Sequence, residues 1–158
     1  MSSGLRLAEI TRDNVGDACR LAVRPDQESF VAPVAVSLAE AYTQPDVAWP
    51  RLVLDGDVPV GFVMGAFDPD CPIAFFRCGI WRLNIAAGQQ GKGYGRFAVQ
   101  GVLEEARRRG QARATVLWVP DPGGPQEFYL RLGFRPTGEE FHGQVVGEKL
   151  LDSTRTAG

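Results

Sequence analysis

The chain has 158 residues, of which 44% are hydrophobic and 23% charged, and its formal net charge is -2 at pH 7. This length suits one hydrophobic core, so we expect a single domain over residues 1–158. The small net charge argues against a nucleic-acid-binding surface. The sequence contains no run of about 18 apolar residues, so we expect no membrane span. The start of the chain carries Arg6 and Glu9 and does not resemble a signal peptide.

Charge is unevenly distributed along the chain. Residues 1–72 carry 5 basic and 11 acidic side chains, whereas residues 73–158 carry 12 basic and 8 acidic ones. A polyanionic ligand on the second half and a cationic ligand near the first would suit this asymmetry. Chance segregation of surface charge is the alternative explanation.

The three cysteines predict neither a metal site nor a disulfide framework. Cys19, Cys71 and Cys78 are odd in number and match no metal-ligand spacing. We therefore expect no metal, and reduced thiols in a cytoplasmic protein.

The first part of the chain contains one strand pattern and two helical patterns. Residues 5–10 alternate at period two and predict a strand. Asp13 or Asn14 can cap a helix with an apolar stripe that ends near Ala22. Residues 26–42 contain a second helical pattern.

Extended patterns dominate the middle of the chain. Residues 51–54 and 58–67 flank the turn Asp55-Gly56-Asp57 and predict a hairpin. Residues 73–85 predict another strand, which completes an antiparallel meander.

The second half of the chain predicts one strand-helix-strand unit and a closing hairpin. Its elements are, in chain order, a glycine-rich loop (88–95), a helix ending near Gly110, a strand (114–119), a short helix (126–132), a hairpin turning near His142 and Gly143 (134–151) and a frayed tail (153–158). A meander followed by such a unit predicts an α/β fold with a mixed sheet rather than a doubly wound parallel one.

The loop Gln90-Gly91-Lys92-Gly93-Tyr94-Gly95 lies between a predicted strand and a predicted helix. Glycines let the backbone adopt positive φ and approach a ligand closely. The unpaired N–H groups at the start of the helix then point at an anion, assisted by the helix dipole. Because Lys92 and Arg96 add positive charge, a pyrophosphate is the natural ligand.

Two other interpretations of this loop are open at this point, whereas a third, the P-loop, fails. A P-loop would need a lysine where the chain, counted from Gly88, has Tyr94. Residues 93–98 satisfy the loose dinucleotide pattern G-x-G-x-x-A, although no repeated strand-helix units surround them. The other open interpretation is a glycine-rich turn that binds nothing.

At this loop the sequence resembles the GNAT superfamily of acyl-CoA-dependent N-acyltransferases, whose signature is Q/R-x-x-G-x-G/A. Phe128-Tyr129-Leu130-Arg131-Leu132-Gly133-Phe134 is similar to the family's downstream aromatic-Tyr-x-x-x-Gly-Phe helix end. The resemblance covers roughly residues 5–151, including the order of the elements. It implies the GNAT fold, a mixed and mostly antiparallel sheet of about seven strands with a splayed parallel pair and flanking helices.

Three stretches resemble bacterial spermine/spermidine-type acetyltransferases more closely: residues 24–33, 59–64 and 81–85. Residues 141–146 resemble the closing turn of that subgroup. This resemblance implies a polyamine as the acceptor of the acetyl group.

The resemblance also implies which residues bind acetyl-CoA, the expected co-substrate. The N–H groups of residues 91–96 hold the coenzyme pyrophosphate, and the backbone of Leu83 and Ile85 pairs with the pantetheine arm like an added strand. The implied coenzyme-binding residues are Leu83, Asn84, Ile85, Gln90, Gly91, Lys92, Gly93, Tyr94, Gly95 and Arg96.

Tyr129 matches the family tyrosine that donates a proton to the departing thiolate. A phenol is a reasonable acid for this step, because the charge that develops on sulfur needs a donor within hydrogen-bond reach. The alternative is that Tyr129 is an aromatic core residue on a short helix.

The sequence departs from the family at several positions. Pro122 stands where an asparagine usually contacts the coenzyme, and proline offers no amide side chain and no backbone N–H. Trp118 replaces a small residue and is expected to narrow the pocket between the splayed strands. Gln144 stands where the subgroup commonly has glutamate.

No general base stands out in the sequence. Trp81 occupies the strand position where many GNATs carry a catalytic glutamate. Glu28, Asp68, Asp70 and His142 are candidates acting through water, although His142 beside a glycine is more typical of a turn. An acceptor amine must lose a proton to attack a thioester, so some proton sink is required.

The resemblance places residues 26–42 and the loop at 68–70 on the acceptor side of the fold. Their acidity favours a cationic amine as the acceptor. The residues that we expect to contact this acceptor are Glu28, Phe30, Asp68 and Trp81.

Together these patterns predict an N-acetyltransferase that moves an acetyl group from acetyl-CoA to a primary amine, with a diamine or polyamine as first choice. Pro122, Trp118 and the missing base favour a rival interpretation, a non-catalytic acyl-CoA-binding or regulatory protein on the same fold. A small-molecule amine is the expected partner, with no nucleic acid and no membrane, and a homodimer is possible.

Overall fold

The computed structural model describes residues 4–152, and one seven-stranded sheet organises them. The strands are β1 (Leu5–Glu9), β2 (Ala48–Asp55), β3 (Val58–Phe67), β4 (Cys78–Ile85), β5 (Arg113–Trp118), β6 (Arg135–Phe141) and β7 (Gln144–Leu150). They lie in the order β1-β2-β3-β4-β5-β7-β6, and β4–β5 is the parallel pair among antiparallel neighbours. The predicted mixed sheet with one parallel pair is therefore confirmed.

The helices cover both faces of this sheet. They are α1 (Val15–Arg20), α2 (Val34–Thr43), α3 (Tyr94–Arg108) and α4 (Gln126–Arg131). Leu52, Phe62 and Met64 pack on one face with the buried side chains of α1 and α2, whereas Val53 and Val63 pack on the opposite face with α3. Successive side chains of a strand point to opposite faces, and helices cover both faces of the sheet here. β2 and β3 are therefore apolar at nearly every position.

Helix α3 owes its position to an apolar stripe and to close contacts. Its buried side chains include Val99, Val102 and Leu103, which recur at helical spacing. A Cβ added at Gly65 of β3 would lie 3.1 Å from the Val102 side chain, so the glycine lets the helix approach the sheet closely. The loop that precedes α3 is thereby fixed beside the end of β4.

Residues 73–85 do not form one continuous strand as predicted. Residues Ala74–Phe76 form a 3-10 turn, and β4 begins only at Cys78. The rings of Phe75 and Phe76 pack against Phe141 at centroid distances of 5.9 and 4.9 Å. A contact with a hairpin far along the chain thus overrides the local extended pattern.

The predicted helix over residues 26–42 is shorter than expected. A 3-10 turn spans Pro25–Gln27, and α2 begins at Val34, directly after Pro33. Proline suits the first positions of a helix but not its interior, so the two prolines divide the segment. The residues between the turn and α2 form a loop.

Asn14 occupies the position before the first residue of α1, but its side chain does not cap the helix. It accepts a hydrogen bond from the Thr11 N–H at 2.8 Å and donates one to the Glu9 carbonyl oxygen at 2.9 Å. The asparagine therefore holds the turn between β1 and α1.

The frayed tail predicted at residues 153–158 lies outside the described residues. Within residues 4–152, no helix combines the length and the apolar character needed to cross a membrane.

Candidate active site

The parallel pair of strands separates shortly after it forms. β4 and β5 pair only at Gly79–Thr115 and Ile80–Val116, although both strands continue further. A Cβ at Gly79 would collide with the Thr115 carbonyl group, so glycine is what allows the two strands to meet there. Beyond Ile80 the strands diverge and leave an opening between them.

A β-bulge marks the start of this opening. In the register of β3 and β4, Gly65 lies opposite Ile80 and Met64 opposite Arg82, which leaves Trp81 as the extra residue. A bulge bends its strand and increases the local twist, and bulges recur beside active sites. Here the bend directs β4 away from β5.

The backbone of Leu83 and Ile85 faces the opening. The Ala86 N–H donates to the Val60 carbonyl oxygen of β3 at 3.0 Å, and directly opposed residues of an antiparallel pair alternate between bonded and non-bonded. Asn84 and Arg82 therefore bond to β3, while Leu83 and Ile85 direct their N–H and C=O groups toward the gap. The Ile85 carbonyl oxygen accepts a hydrogen bond from the Gln90 side-chain amide at 2.7 Å, whereas both backbone groups of Leu83 and the N–H group of Ile85 are available to an extended ligand.

A cavity of about 740 Å³ occupies the opening. Five parts of the chain line it: the segment 23–32, strand β4, the loop 89–96, the end of β5 with the loop and helix that follow, and Gln144 at the start of β7. Of the predicted coenzyme-binding residues, those in the lining are Leu83, Ile85, Gln90, Gly91, Gly93, Tyr94, Gly95 and Arg96.

Two predicted coenzyme-binding residues lie elsewhere. Asn84 is buried, and its side-chain amide donates to the Ala32 carbonyl oxygen at 3.0 Å. Lys92 is exposed, and its ammonium group donates to the Gln89 side chain at 3.3 Å. Lys92 can contribute charge near the loop but does not line the cavity.

The glycine-rich loop has the backbone conformation that its sequence predicts. Gly91 and Gly93 adopt φ values of 78° and 85°, and Gly93 is the residue before the first turn of α3. A left-handed residue without a side-chain cap leaves the first N–H groups of this 15-residue helix pointing outward. Arg96 lies in the same turn and lines the cavity, so this end of the cavity suits an anion.

Tyr94 anchors the loop to a distant hairpin, a role that the sequence did not predict. Its hydroxyl donates to the Asp55 carboxylate at 2.6 Å. This hydrogen bond and then burial raise the pKa of Tyr94. Asp55 is the last residue of β2, and no local pattern indicates a partner 39 residues away.

Tyr129 also lines the cavity, within an aromatic group. Its side chain is buried, and it packs edge-on against Phe128 and Phe134 and parallel to Trp118. Burial raises the pKa of Tyr129 well above its ordinary value. Its hydroxyl has no hydrogen-bond partner among residues 4–152, so the group is available as a donor to a ligand.

Trp118 contacts both a helix, α4, and a strand, β7, beside the opening. Its indole N–H donates to the Gln126 side chain of α4 at 2.9 Å. The ring lies directly over Gly147 of β7, where an added Cβ would collide with it. Trp118 therefore forms a fixed aromatic wall of the cavity beside Tyr129, where the sequence predicts a narrower pocket.

Only part of the predicted acceptor site reaches the cavity. Phe30 and Trp81 line it, but Glu28 and Asp68 do not. The Asp68 backbone N–H donates to the Arg77 carbonyl oxygen at 2.9 Å, within the loop that precedes β4.

The charged side chains that line the cavity are all arginines, within the part of the chain that the structure describes. They are Arg24, Arg82 and Arg96. Arg24 pairs with Asp26 at 3.1 Å and Arg82 pairs with Glu40 at 2.8 Å. The candidate bases Glu28, Asp68, Asp70 and His142 all lie outside the lining, whereas Gln144 lies in it.

Pro122 also lies outside the cavity. It is exposed in the loop after β5, and the lining residues of that loop are Gly123, Gly124 and Pro125. The position at which the family usually has asparagine therefore does not line the cavity in this chain.

A family model described as "Acetyltransferase (GNAT) family" matches residues 18–134. A comparison with curated proteins finds no significant match.

Solved structures share this fold. An acetyltransferase from Thermus thermophilus has a TM-score of 0.69 at 22% identity, covering 93% of this chain and 97% of its own. The PaiA N-acetyltransferase from Thermoplasma acidophilum, in complex with coenzyme A, has a TM-score of 0.68 at 12% identity, with 92% and 98% covered. A GNAT family acetyltransferase from Elizabethkingia anophelis with acetyl-CoA bound has a TM-score of 0.65 at 14% identity, with 94% and 99% covered. The predicted fold is thus confirmed.

Proposed function

The chain belongs to the acetyltransferase (GNAT) family, and we propose that this acetyl-CoA-dependent acetyltransferase acts on a small primary amine. The observation that carries the proposal is the opening between β4 and β5. The glycine-rich loop and Tyr129 line a single cavity there, of about 740 Å³. The bound coenzyme A and acetyl-CoA of two proteins with the same fold support this arrangement.

The residues that line the cavity suit the parts of acetyl-CoA. Its pyrophosphate would accept hydrogen bonds from the backbone of residues 91–96, next to Arg96. The amides of its pantetheine arm would pair with the free N–H and C=O groups of Leu83 and the free N–H group of Ile85, as a strand would. The thioester would then lie between the two strands, near Tyr129 and Trp118.

The residues of the cavity suit a direct transfer. The neutral amine nitrogen forms a bond to the thioester carbon, and the bond between that carbon and sulfur breaks. Tyr129 donates its proton to sulfur and regains one from nitrogen, so the protons balance. The phenol carries its proton at neutral pH, since burial raises its pKa further above its ordinary value.

A diamine or polyamine is the acceptor that we propose. The rings of Phe30 and Trp81 line the cavity, and aromatic faces attract ammonium groups. Because Arg24 and Arg82 are each paired with a carboxylate, they oppose a cationic acceptor less than free arginines would. The acidic first half of the chain would attract a cation from solution.

Thiol release from acetyl-CoA over a panel of amines tests the proposal. The panel contains diamines, polyamines, amino acids, aminoglycosides and a peptide with a free N-terminus. We expect the greatest kcat/KM for a diamine or polyamine, and release that depends on Tyr129. Preference for an amino acid would contradict the acceptor class but not the acetyl transfer.

One observation favours a second function, a protein that binds acyl-CoA without turnover. Within the described residues, no Asp, Glu or His side chain lines the cavity. This function predicts binding of acetyl-CoA with no thiol release for any amine and no effect of Tyr129→Phe. The absence of acetyl-CoA binding in a thermal-shift titration would contradict both functions.

A further inference from the structure

A pair of glutamine side chains joins the glycine-rich loop of residues 88–95, called the coenzyme loop below, to the segment of residues 23–32. The Gln27 amide donates to the Gln90 side-chain oxygen at 3.2 Å, and the Gln90 amide donates back to Gln27 at 3.0 Å. The Gln90 amide also donates to the Ile85 carbonyl oxygen at 2.7 Å. Residues 63 apart in sequence are thus bonded reciprocally at the wall of the cavity.

Gln27 belongs to a segment with few other attachments. The segment is tied to the rest of the site near its two ends, where the Ala87 N–H donates to the Ala22 carbonyl oxygen and the Asn84 amide donates to that of Ala32. Between these ties, the other hydrogen bonds of residues 23–31 stay within the segment, among the residues that the structure describes. Gln27 therefore provides the bond that fixes its middle.

The middle of this segment crosses the opening. The Phe30 N–H donates to the Gln27 carbonyl oxygen at 2.9 Å, so the position of Phe30 follows that of Gln27. The Phe30 ring reaches the loop after β5, where a Cβ added at Gly124 would lie 3.5 Å from it. The segment thus spans the cavity from the coenzyme loop to the loop beside Tyr129.

We propose that Gln27 is a positioning residue that transmits the arrangement of the coenzyme loop to the acceptor side of the cavity. Gln90 precedes the glycines that would hold the pyrophosphate, so binding of the coenzyme restrains Gln90. The amide pair then restrains Gln27 and Phe30 over the site where the acceptor amine would lie. This inference rests on the proposed acetyl transfer.

Amide hydrogen exchange with and without coenzyme A tests the coupling independently of turnover. In the wild-type protein, coenzyme A should slow exchange in residues 88–97 and also in residues 24–33. In Gln27→Ala it should slow exchange in residues 88–97 as before and in residues 24–33 much less. Equal slowing of residues 24–33 in both proteins would overturn the proposal.

Kinetics provide the second measurement. A neutral hydrogen bond contributes about 1 kcal/mol, so Gln27→Ala should raise KM for the amine about fivefold and leave the Kd of acetyl-CoA within about twofold. Gln27→Glu keeps an acceptor for the hydrogen bond from the Gln90 amide but loses the donor to the Gln90 oxygen. The KM for the amine should therefore rise less than in Gln27→Ala. An equal rise in amine KM and acetyl-CoA Kd, or an unchanged amine KM, would count against the positioning role.

Gln100→Ala is the matched control, because Gln100 is an exposed glutamine on α3. It should change neither exchange in residues 24–33 nor the amine KM. If the wild-type protein binds coenzyme A but transfers no acetyl group, the proposed function fails while the exchange experiment still decides the coupling. If the exchange pattern is unchanged in an active enzyme, the coupling alone fails.

Discussion

The indole of Trp118 lies parallel to the phenol of Tyr129, with ring centroids 5.8 Å apart and an angle of 11° between the planes. Trp118 ends β5 and Tyr129 lies on α4, so the stack joins the two elements that bound the opening. The indole N–H of Trp118 also donates to Gln126 at the start of α4. The position of the proposed acid thus depends on the residue that departs from the family pattern.

Substitutions at Trp118 should separate stacking from hydrogen bonding. Trp118→Phe keeps a ring but loses the bond to Gln126, and should lower the free energy of unfolding by about 1 kcal/mol or somewhat more. Trp118→Ala also opens a cavity in the core and should cost about 3 to 5 kcal/mol. Urea denaturation measures both.

Gln126→Ala removes the same hydrogen bond from the other side. If that bond is shared, the effects of Trp118→Phe and Gln126→Ala should not add in the double variant. Full additivity would show that the two side chains act separately.

Tyr129→Phe should lower kcat with little change in stability. Removing a general acid costs about 10²- to 10⁴-fold in rate, and the ring of phenylalanine preserves the packing against Trp118 and Phe134. Since burial raises the pKa of Tyr129, its ionisation should not limit kcat in the wild-type enzyme up to about pH 10. Thiol release measured between about pH 6 and about pH 10 checks both expectations.

Tyr42→Phe is the control for this variant. Tyr42 is 86% exposed on α2, outside the cavity, and the loss of its hydroxyl should leave kcat unchanged. An active Tyr129→Phe would assign the tyrosine to the core rather than to catalysis.

Two glycines with the same backbone conformation distinguish folding from coenzyme binding. Gly93 and Gly88 have φ values of 85° and 86°, but only Gly93 lines the cavity and precedes α3. Alanine at either position strains the backbone by about 1 kcal/mol. Gly93→Ala should additionally weaken acetyl-CoA binding, by about tenfold if one loop contact is lost.

Calorimetric titration of the two variants with acetyl-CoA measures this difference. Gly88→Ala should keep nearly the wild-type Kd. An equal loss of affinity in both variants would mean that the conformation of the whole loop, rather than its contact with the phosphates, sets the affinity.

Gly79→Ala should destabilise the junction of β4 and β5. The new Cβ would collide with the Thr115 backbone, which cannot move without breaking the parallel pair. We expect a loss of about 1 to 3 kcal/mol, typical of overpacking. Gly16→Ala, on exposed α1 with ordinary contact distances of 3.4 Å or more, should be neutral or slightly stabilising in the same thermal unfolding experiment.

The sequence predicts most of the sheet because the signals for it are local. Two apolar runs flanking the turn at residues 55–57 indicate the hairpin of β2 and β3, and Gly91 and Gly93 indicate the loop conformation. The 3-10 turn at Ala74–Phe76 was missed because it depends on packing against Phe141. Its composition, with two phenylalanines, is equally typical of a strand.

The site was predicted where a motif carries it and missed where contacts between distant residues create it. The acidity of the first half of the chain predicts Glu28 and Asp68 at the acceptor. Net charge indicates which part of the chain attracts a cation, but it does not indicate where an individual side chain points. Gln27 carried no signal, because an amide pair between residues 63 apart has no local pattern. Trp81, which the sequence predicts to contact the acceptor, lines the cavity, and the bulge that it forms becomes visible only in the register with β3.

Burial of Cys78 should make the protein less stable at alkaline pH. Desolvation raises the pKa of its thiol to about 11 from an ordinary value of 9.0, opposed by the nearby Arg109 charge. Above pH 9 the unfolded chain loses this proton while the folded chain keeps it, so stability is fully present below pH 9 and falls as the pH rises toward 11. Tyr94 and Tyr129, whose pKa values are also raised, add to this fall from about pH 10 upward.

Thermal midpoints between about pH 8 and about pH 11 measure the fall, and Cys78→Ala should delay its onset from about pH 9 to about pH 10. The slopes are compared rather than the absolute midpoints, because the smaller side chain also leaves a cavity. Cys19→Ala, at an exposed position, should retain the wild-type slope. A fall in Cys78→Ala that begins at the same pH as in the wild-type protein would mean that the thiol ionises equally in the folded and unfolded states, and that the tyrosines or the net charge govern the alkaline limit.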